Sequence, residues 1–382
     1  GDNNSIGGAV AVSYSAGLST TGVNAVALLA QSVGGGGGVA SFSDQSKGGG
    51  GTANGRLGQL SGSDWAGDVT VSGSGTIATS GAQAIGMLAQ SVSNGGGLAS
   101  LTGSPNSLFT GAMTLGAANA SNGRGGVVTV STTSGAISTK GNFAYGLVAQ
   151  SIAGGGGVSQ VVTNSASLGG KAGGGSQGVT VTNGAAITTN GVGAIGIVAQ
   201  SIGGGGGLAI ATGSATLGGG TGVASTGGNV TITSNAAIST SGVNAIGILA
   251  QSVGGGGGAV LSSGSALSTA TTRGAAGNSG AVTVNVNASI TTSGKGGYGV
   301  VAQSVAGGGG LVMNGNTAVL SSAGSGGTSG VVTVNVRKGV SITTTGAGAS
   351  AIYAFSSTDP VLNIEEGASV IGGVGGHAAL LD

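Results

Sequence analysis

The sequence predicts an all-β chain wound as a right-handed parallel β-helix, a β-solenoid with glycine-rich loops. Three observations carry that prediction: a repeat of fixed internal spacing, short β-branched segments within it, and turn residues between them that always follow in one order. The repeat is plainest in AQSVGGGGG at residues 30–38. Its glutamine returns at Gln31, Gln90, Gln150, Gln200, Gln251 and Gln303, in steps of 59, 60, 50, 51 and 52 residues. Phe355 stands where a seventh is due.

Thirteen residues before each of these lies a second landmark: Leu18, Ile77, Ile137, Ile187, Ile238, Ile290 and Ile342, opening phrases such as ISTSG and ITTNG. A V-x-V or V-x-I triplet precedes that one, beginning at Val10, Val69, Val128, Val179, Val230, Val282 and Val332. Almost all length variation falls between the glycine run and the next triplet, as expected of a paired scaffold beside a variable excursion. Each landmark is short and rich in β-branched residues, bounded by Gly, Ser and Asn; these are strand signals. Strands repeated in one order, with no hairpin signal, fit a chain that winds in one direction and stacks each coil on the last.

The stretch from Val230 to Gly258 carries three strands and the glycine run, and LAIATGSATLGG from Leu208 shows a weaker strand pattern. Two coils of roughly 25 residues per repeat are therefore expected, giving some fifteen coils and a rod roughly 70 Å long. One larger coil with a long excursion is the alternative; it halves the length and sets equivalent glutamines directly above one another.

Single glycines suit sharp corners, where φ is positive or backbones approach closely. The runs at 34–38, 203–207 and 254–258 exceed what a corner needs. They are either solvent loops or extended polyglycine packed against its counterparts, and variants such as Ser93-Asn94-Gly95 favour the loop. Ala245 to Ala250 is apolar on both faces, with Ile246 and Ile248 assigned to one and Ala245, Gly247 and Leu249 to the other. Such strands are normally covered on both sides, and cover by the variable excursion is expected. Gln251 and its equivalents are expected to cap turns, with stacked amide ladders as the alternative. Thr240, on the same strand face as Ile238, is expected to pack inward or cap a turn. No outward threonine array is evident, which counts against ice binding.

Composition narrows the function. The 382 residues include 92 glycines and no cysteine, with a net charge of +1 and only 4% charged residues. Disulfide staples and thiolate metal sites are excluded, and nothing points to nucleic acid as a partner. The uncharged window Val243 to Leu261 is interrupted by Gln251, Ser252 and glycines, so membrane insertion by this segment is not expected. The chain opens at Gly1 without a signal-like segment, as a processed piece would.

No residue between Asp68 and Asp359 is Asp or Glu. Paired-carboxylate hydrolysis and carboxylate-rich calcium binding are thereby ruled out across the repeats. The sole histidine, His377, reads as a turn residue. Gly174-Gly175-Ser176-Gln177-Gly178 matches a nucleophile elbow by letter only, as expected by chance in a Gly/Ser-rich tract. No catalytic, cofactor or metal residue is assigned, and no enzyme is expected. Lys140, Lys171 and Lys295 lie in or beside loops. Asp44, Asp64, Trp65 and Asp68 cluster in the first long insertion, as a solvated loop or a contact site. The repeats fill residues 1–355; residues 356–382, with Asp359-Pro360 and Glu365-Glu366, form a divergent final coil leading towards a C-terminal part.

The phrases GVNAIGILAQSVGGGGG (242–258) and GVGAIGIVAQSIGGGGG (191–207) and the ending NIEEGASVIGG...HAALLD resemble the passenger-domain repeats of large Gram-negative autotransporters. The resemblance covers nearly the whole chain and implies a parallel β-helix, export through an outer-membrane barrel and display at the cell surface. It implies no one activity. The expected function is a non-enzymatic adhesin or stalk in attachment or biofilm formation, with a host or abiotic surface as partner. A self-assembling extracellular filament, joined through its apolar faces or loops, is the alternative. A glycan- or ice-binding module ranks below both.

Overall fold

The computed structural model describes residues 5–44, 55–58, 63–103, 112–116, 122–169, 174–218, 225–262, 269–272, 276–314, 317–323 and 326–382. Among them every regular element is a strand, and the strands stack in parallel as a β-helix. The pairing register sets the number of coils. Val179, Val230 and Val282 are direct neighbours, as are Ile187, Ile238 and Ile290, and Gln200, Gln251 and Gln303. Each repeat is thus one circuit with a long excursion, where two smaller coils were expected. Period-two alternation suits either count, and only the hydrogen-bonding partner of each strand separates them. The central sheet has eight strands, so at about 4.8 Å per level the axis measures roughly 35–40 Å.

One circuit, taken at the fifth repeat, shows the layers. Val230–Ser234 and Ile238–Ser241 belong to a 14-stranded front sheet. The chain then turns through Asn244, held at φ 58°, into Ile246–Val253 of the central sheet. A second reversal leads through the glycine run into Gly256–Ser262, an outgoing arm, and Thr269–Thr272 follows as a returning arm. Outgoing arms stack on outgoing arms and returning arms on returning arms.

Three apolar interfaces hold these layers. Val230, Ile232 and Ile238 of the front sheet pack against Ile248 and Ala250 of the central sheet. The opposite central face, with Ile246 and Leu249, meets Ala259 and Leu261 of the outgoing arms. Ala209 and Val260, on the outer face of those arms, meet Leu168, Ala215 and Leu217 on returning arms. The central strands Tyr145–Ile152, Ile195–Ile202 and Ile246–Val253 are consequently buried at every residue. The excursion supplies the expected cover from within the chain. Four sheets about 10 Å apart make a block nearly as thick as it is tall, rather than a slender rod.

Two local expectations are corrected. Ile246 and Ile248 lie on opposite faces, because the ladder skips Gly247 between them and the alternation shifts by one. The glycine backbone also lies close to its neighbours: a Cβ on Gly247 would fall 2.6 Å from Cγ2 of Ile290. The glycine runs, expected as solvent loops, each make a tight bend and then enter paired strand, at Gly37, Gly206 and Gly256, and in the fourth and fifth repeats the whole run is buried. Gly206 and Gly207 pair with Gly257 and Gly258 above and with Gly156 and Gly157 below. Their φ values of 133° and 136° belong to glycine alone, and a Cβ on either would overlap a carbonyl oxygen of the adjacent coil.

Among the described residues one pairing is antiparallel: Gly308–Asn314 folds against Thr317–Ala323. The final coil contributes no outgoing arm to this sheet, so the returning segment covers an edge that would otherwise be left unpaired. That final coil is short, with Val334 beside Leu362, Ile342 beside Val370 and Ile352 beside Ala379.

Candidate functional site

The six glutamines converge on one column. Nε2 of each donates to Oε1 of the next, at 2.6 Å for the first three pairs, then 2.7 Å and 2.8 Å. The amide ladder, not turn capping, is what forms. Nε2 of Gln200 and Gln251 also reach the carbonyls of Gly207 and Gly258, at 3.4 Å and 3.2 Å. Gln90, Gln150, Gln200, Gln251 and Gln303 are completely buried. A primary amide has the donors and acceptors to bond both up and down the axis, so one residue type repeated in register satisfies itself. The column stops where Gln303 faces Phe355, and Nε2 of Gln303 has no acceptor.

A second column was missed in the sequence. The serine after each glutamine donates to a backbone carbonyl of its own coil and accepts from an N–H of the next. Ser201 bonds Gln177 O and Gly228 N, both at 2.8 Å, and Ser252 bonds Gly228 O at 2.9 Å and Gly280 N at 2.8 Å. The signal was present, since Ser follows every Gln and the position two before each triplet is Gly in all but one repeat. Both columns are interior scaffold, and neither offers chemistry to solvent.

The catalytic look-alikes do not converge. The Ser176 hydroxyl lies 2.8 Å from that of Ser201, in the fourth repeat. His377 belongs to the final coil, where its N–H donates to Ser350 Oγ at 3.1 Å. Four coil levels, roughly 19 Å, separate them. Among the described residues no group of three His, Cys, Asp or Glu side chains could hold a metal, and no helix is long and apolar enough to cross a membrane. Lys140 and Lys295 are exposed. Lys171 and the side chain of Asp44 lie outside the described residues.

A narrow strip beside the front sheet brings together exposed aromatic, cationic and amide groups. Ile6, Trp65 and Arg124 are bridged in parallel across three coils, and the column continues through Gly175 and Thr226 to Asn278. Trp65, 47% exposed, carries the Arg124 guanidinium 5.8 Å from its ring centroid, a cation–π distance. Beside it Asp64 is buried; its Oδ1 accepts the Ser5 N–H at 2.6 Å and its own N–H donates to Asn94 Oδ1 at 3.0 Å. Asp68 holds the Val127 N–H at 2.8 Å. Depressions of about 490 Å³ and 380 Å³ are both bordered by Trp65. Asn122 borders both; Arg124, Gln177, Thr226 and the glycines Gly174 and Gly175 border the second. The strip offers an aromatic face, one guanidinium, amides and the hydroxyls of Ser63 and Thr226, a set suited to binding a polar ligand.

Compared with known protein families, curated proteins and solved structures, the chain gives no match. Fold and site together define a layered parallel β-solenoid with an amide-ladder core and one exposed aromatic strip.

Proposed function

We propose that the chain is a non-enzymatic segment of a Gram-negative cell-surface protein, an autotransporter-like passenger piece acting as adhesin or stalk. The observation that carries this reading is the eight-stranded parallel central sheet, which runs without interruption from Val26–Val33 to Ala379–Leu381. Load applied along the axis is shared by every backbone ladder and by the glutamine and serine columns. The Trp65–Arg124 strip is its contact site. Attachment of cells displaying the chain tests the reading. Wild type is expected to promote adhesion, and W65A/R124A to lower it several-fold with the β circular dichroism unchanged. Unaltered adhesion would remove the strip from the proposal, and ordered fibres in electron micrographs of purified protein would favour the filament.

A further inference from the structure

The front sheet turns its valines and isoleucines inward, and the residues between them form columns on its outer face. The middle residue of the triplet is Thr70, Thr129, Thr180, Thr231, Thr283 and Thr333, six threonines in direct register. Beside them run Ser72, Ser131, Thr182, Thr233, Asn285 and Asn335. A third column on the neighbouring strands reads Ser138, Thr188, Ser239, Thr291 and Thr343. These threonines lie within the valine triplets, apart from the threonine of the Ile-x-Thr phrase. That threonine does point inward: Thr240 is buried, 2.9 Å from the hydroxyl of Thr292.

Three properties bear on what this face fits. Its mesh is about 4.8 Å along the axis and about 6.7 Å along the strand, from the strand spacing and twice the rise per residue. The second column is tied along the axis, with Asn335 Nδ2 bonded to Asn285 Oδ1 at 2.8 Å and Asn285 Nδ2 to Thr233 Oγ1 at 3.3 Å; side-chain ladders of this kind hold long sheets flat. The six threonine hydroxyls of the first column, by contrast, have no partner among the described residues, and their side chains, exposed or half-exposed, face solvent on a regular grid.

Charge matching narrows the occupant further. None of the three columns carries a charged side chain from Thr70 to Thr343, which disfavours phosphate-bearing or ionic surfaces, and no aromatic ring stands among them to stack on a sugar. A neutral lattice of hydroxyl groups with a fixed two-dimensional repeat is the complement, and crystalline water has that form, with oxygen spacings close to this mesh. We infer that the threonine face of the front sheet binds ice. Its methyls exclude disordered water while its hydroxyls hold first-layer water in lattice positions. The inference stands apart from the Trp65 strip and survives if adhesion through that strip fails.

The test is partition of the purified chain into slowly growing ice, with T180Y/T231Y as the disrupting variant and W65A as control. Tyrosine keeps β propensity but breaks the grid with two rings. Wild type and W65A are expected to concentrate in the ice several-fold over a non-binding protein, and T180Y/T231Y to fall to that background with its circular dichroism unchanged. Exclusion of wild type from ice, or retention of T180Y/T231Y within it, overturns the inference. So does binding to microcrystalline cellulose, without ice partition, that is lost in T180Y/T231Y. Should T180Y/T231Y fail to fold, a single T231K at the middle of the column takes its place and is read by the same two outcomes.

Discussion

The fourth repeat and the final coil follow the same front-sheet path, yet one is a four-layer slab and the other a bare loop of the helix. In the fourth repeat Ile195, Val198 and Leu208 are buried between the central and outgoing layers. In the final coil Ile364 and Ile371 are about half exposed and Val374 is 85% exposed. Full burial of an aliphatic side chain stabilises by about 1.5–3 kcal/mol, and the second and third apolar interfaces form only where the excursion lays its arms over the central sheet. Polyglycine makes that possible. Only strands without Cβ atoms can turn back closely enough to lay the excursion over the central sheet.

The contrast breaks first at glycine. Gly206→Ala is expected to cost about 4 kcal/mol or more, because the methyl meets the backbone of the coil above. Gly375→Ala in the final coil has open space around its Cβ and φ of 74°, so about 1–2 kcal/mol of left-handed strain is expected. Denaturant midpoints at constant m-value separate the two, and equal losses would mean that the runs are not packed strand.

The ladder gives the next effect. Gln200→Leu leaves Nε2 of Gln150 without its acceptor and Oε1 of Gln251 without its donor, for an expected loss of about 2–4 kcal/mol. Gln303→Leu is expected to cost about 1 kcal/mol or less, since its own Nε2 is unpartnered and Gln251 keeps the Gly258 carbonyl. A smaller change, of opposite sign, is expected at Tyr145. Its buried hydroxyl has no partner, and burial pushes its pKa well above the usual phenol range. Tyr145→Phe should leave stability unchanged or raise it by about 1 kcal/mol; a loss would reveal a bond to that hydroxyl.

The smallest effect belongs to the final coil. Glu365 accepts from Arg337 at 2.6 Å and from the Lys338 N–H at 2.9 Å, and these bonds hold its pKa below the 4.5 of a free side chain. Its contribution is complete above that value and fades as pH falls through the lowered one. Because the pair is exposed, only a slight fraying of the last coil below pH 4.5 is expected, read by hydrogen exchange at Glu365 and Ala368, whose N–H groups bond Val336 and Glu365. Glu365→Gln should abolish that pH dependence.

Strand positions, the parallel sense and the periodic recurrence of the glutamines were legible because each leaves a local mark: β-branched residues, one-way order and constant spacing. The Trp65 strip was legible only as a cluster of unusual residues in a long insertion. Its partner Arg124 lies a full coil away, and nothing local joins the two. The serine column and the threonine face were written in the repeat but needed the register to become columns.

By itself the sequence determined that Val, Ile, Gln and Gly would recur in phase, and therefore that a parallel stack would satisfy every repeat alike. Whether that phase meant one turn or two, and whether the glycines were loop or strand, was decided in three dimensions. Backbone pairing links residues some fifty positions apart, and only the presence of a neighbour at the same height tells a strand what to bond and what to bury.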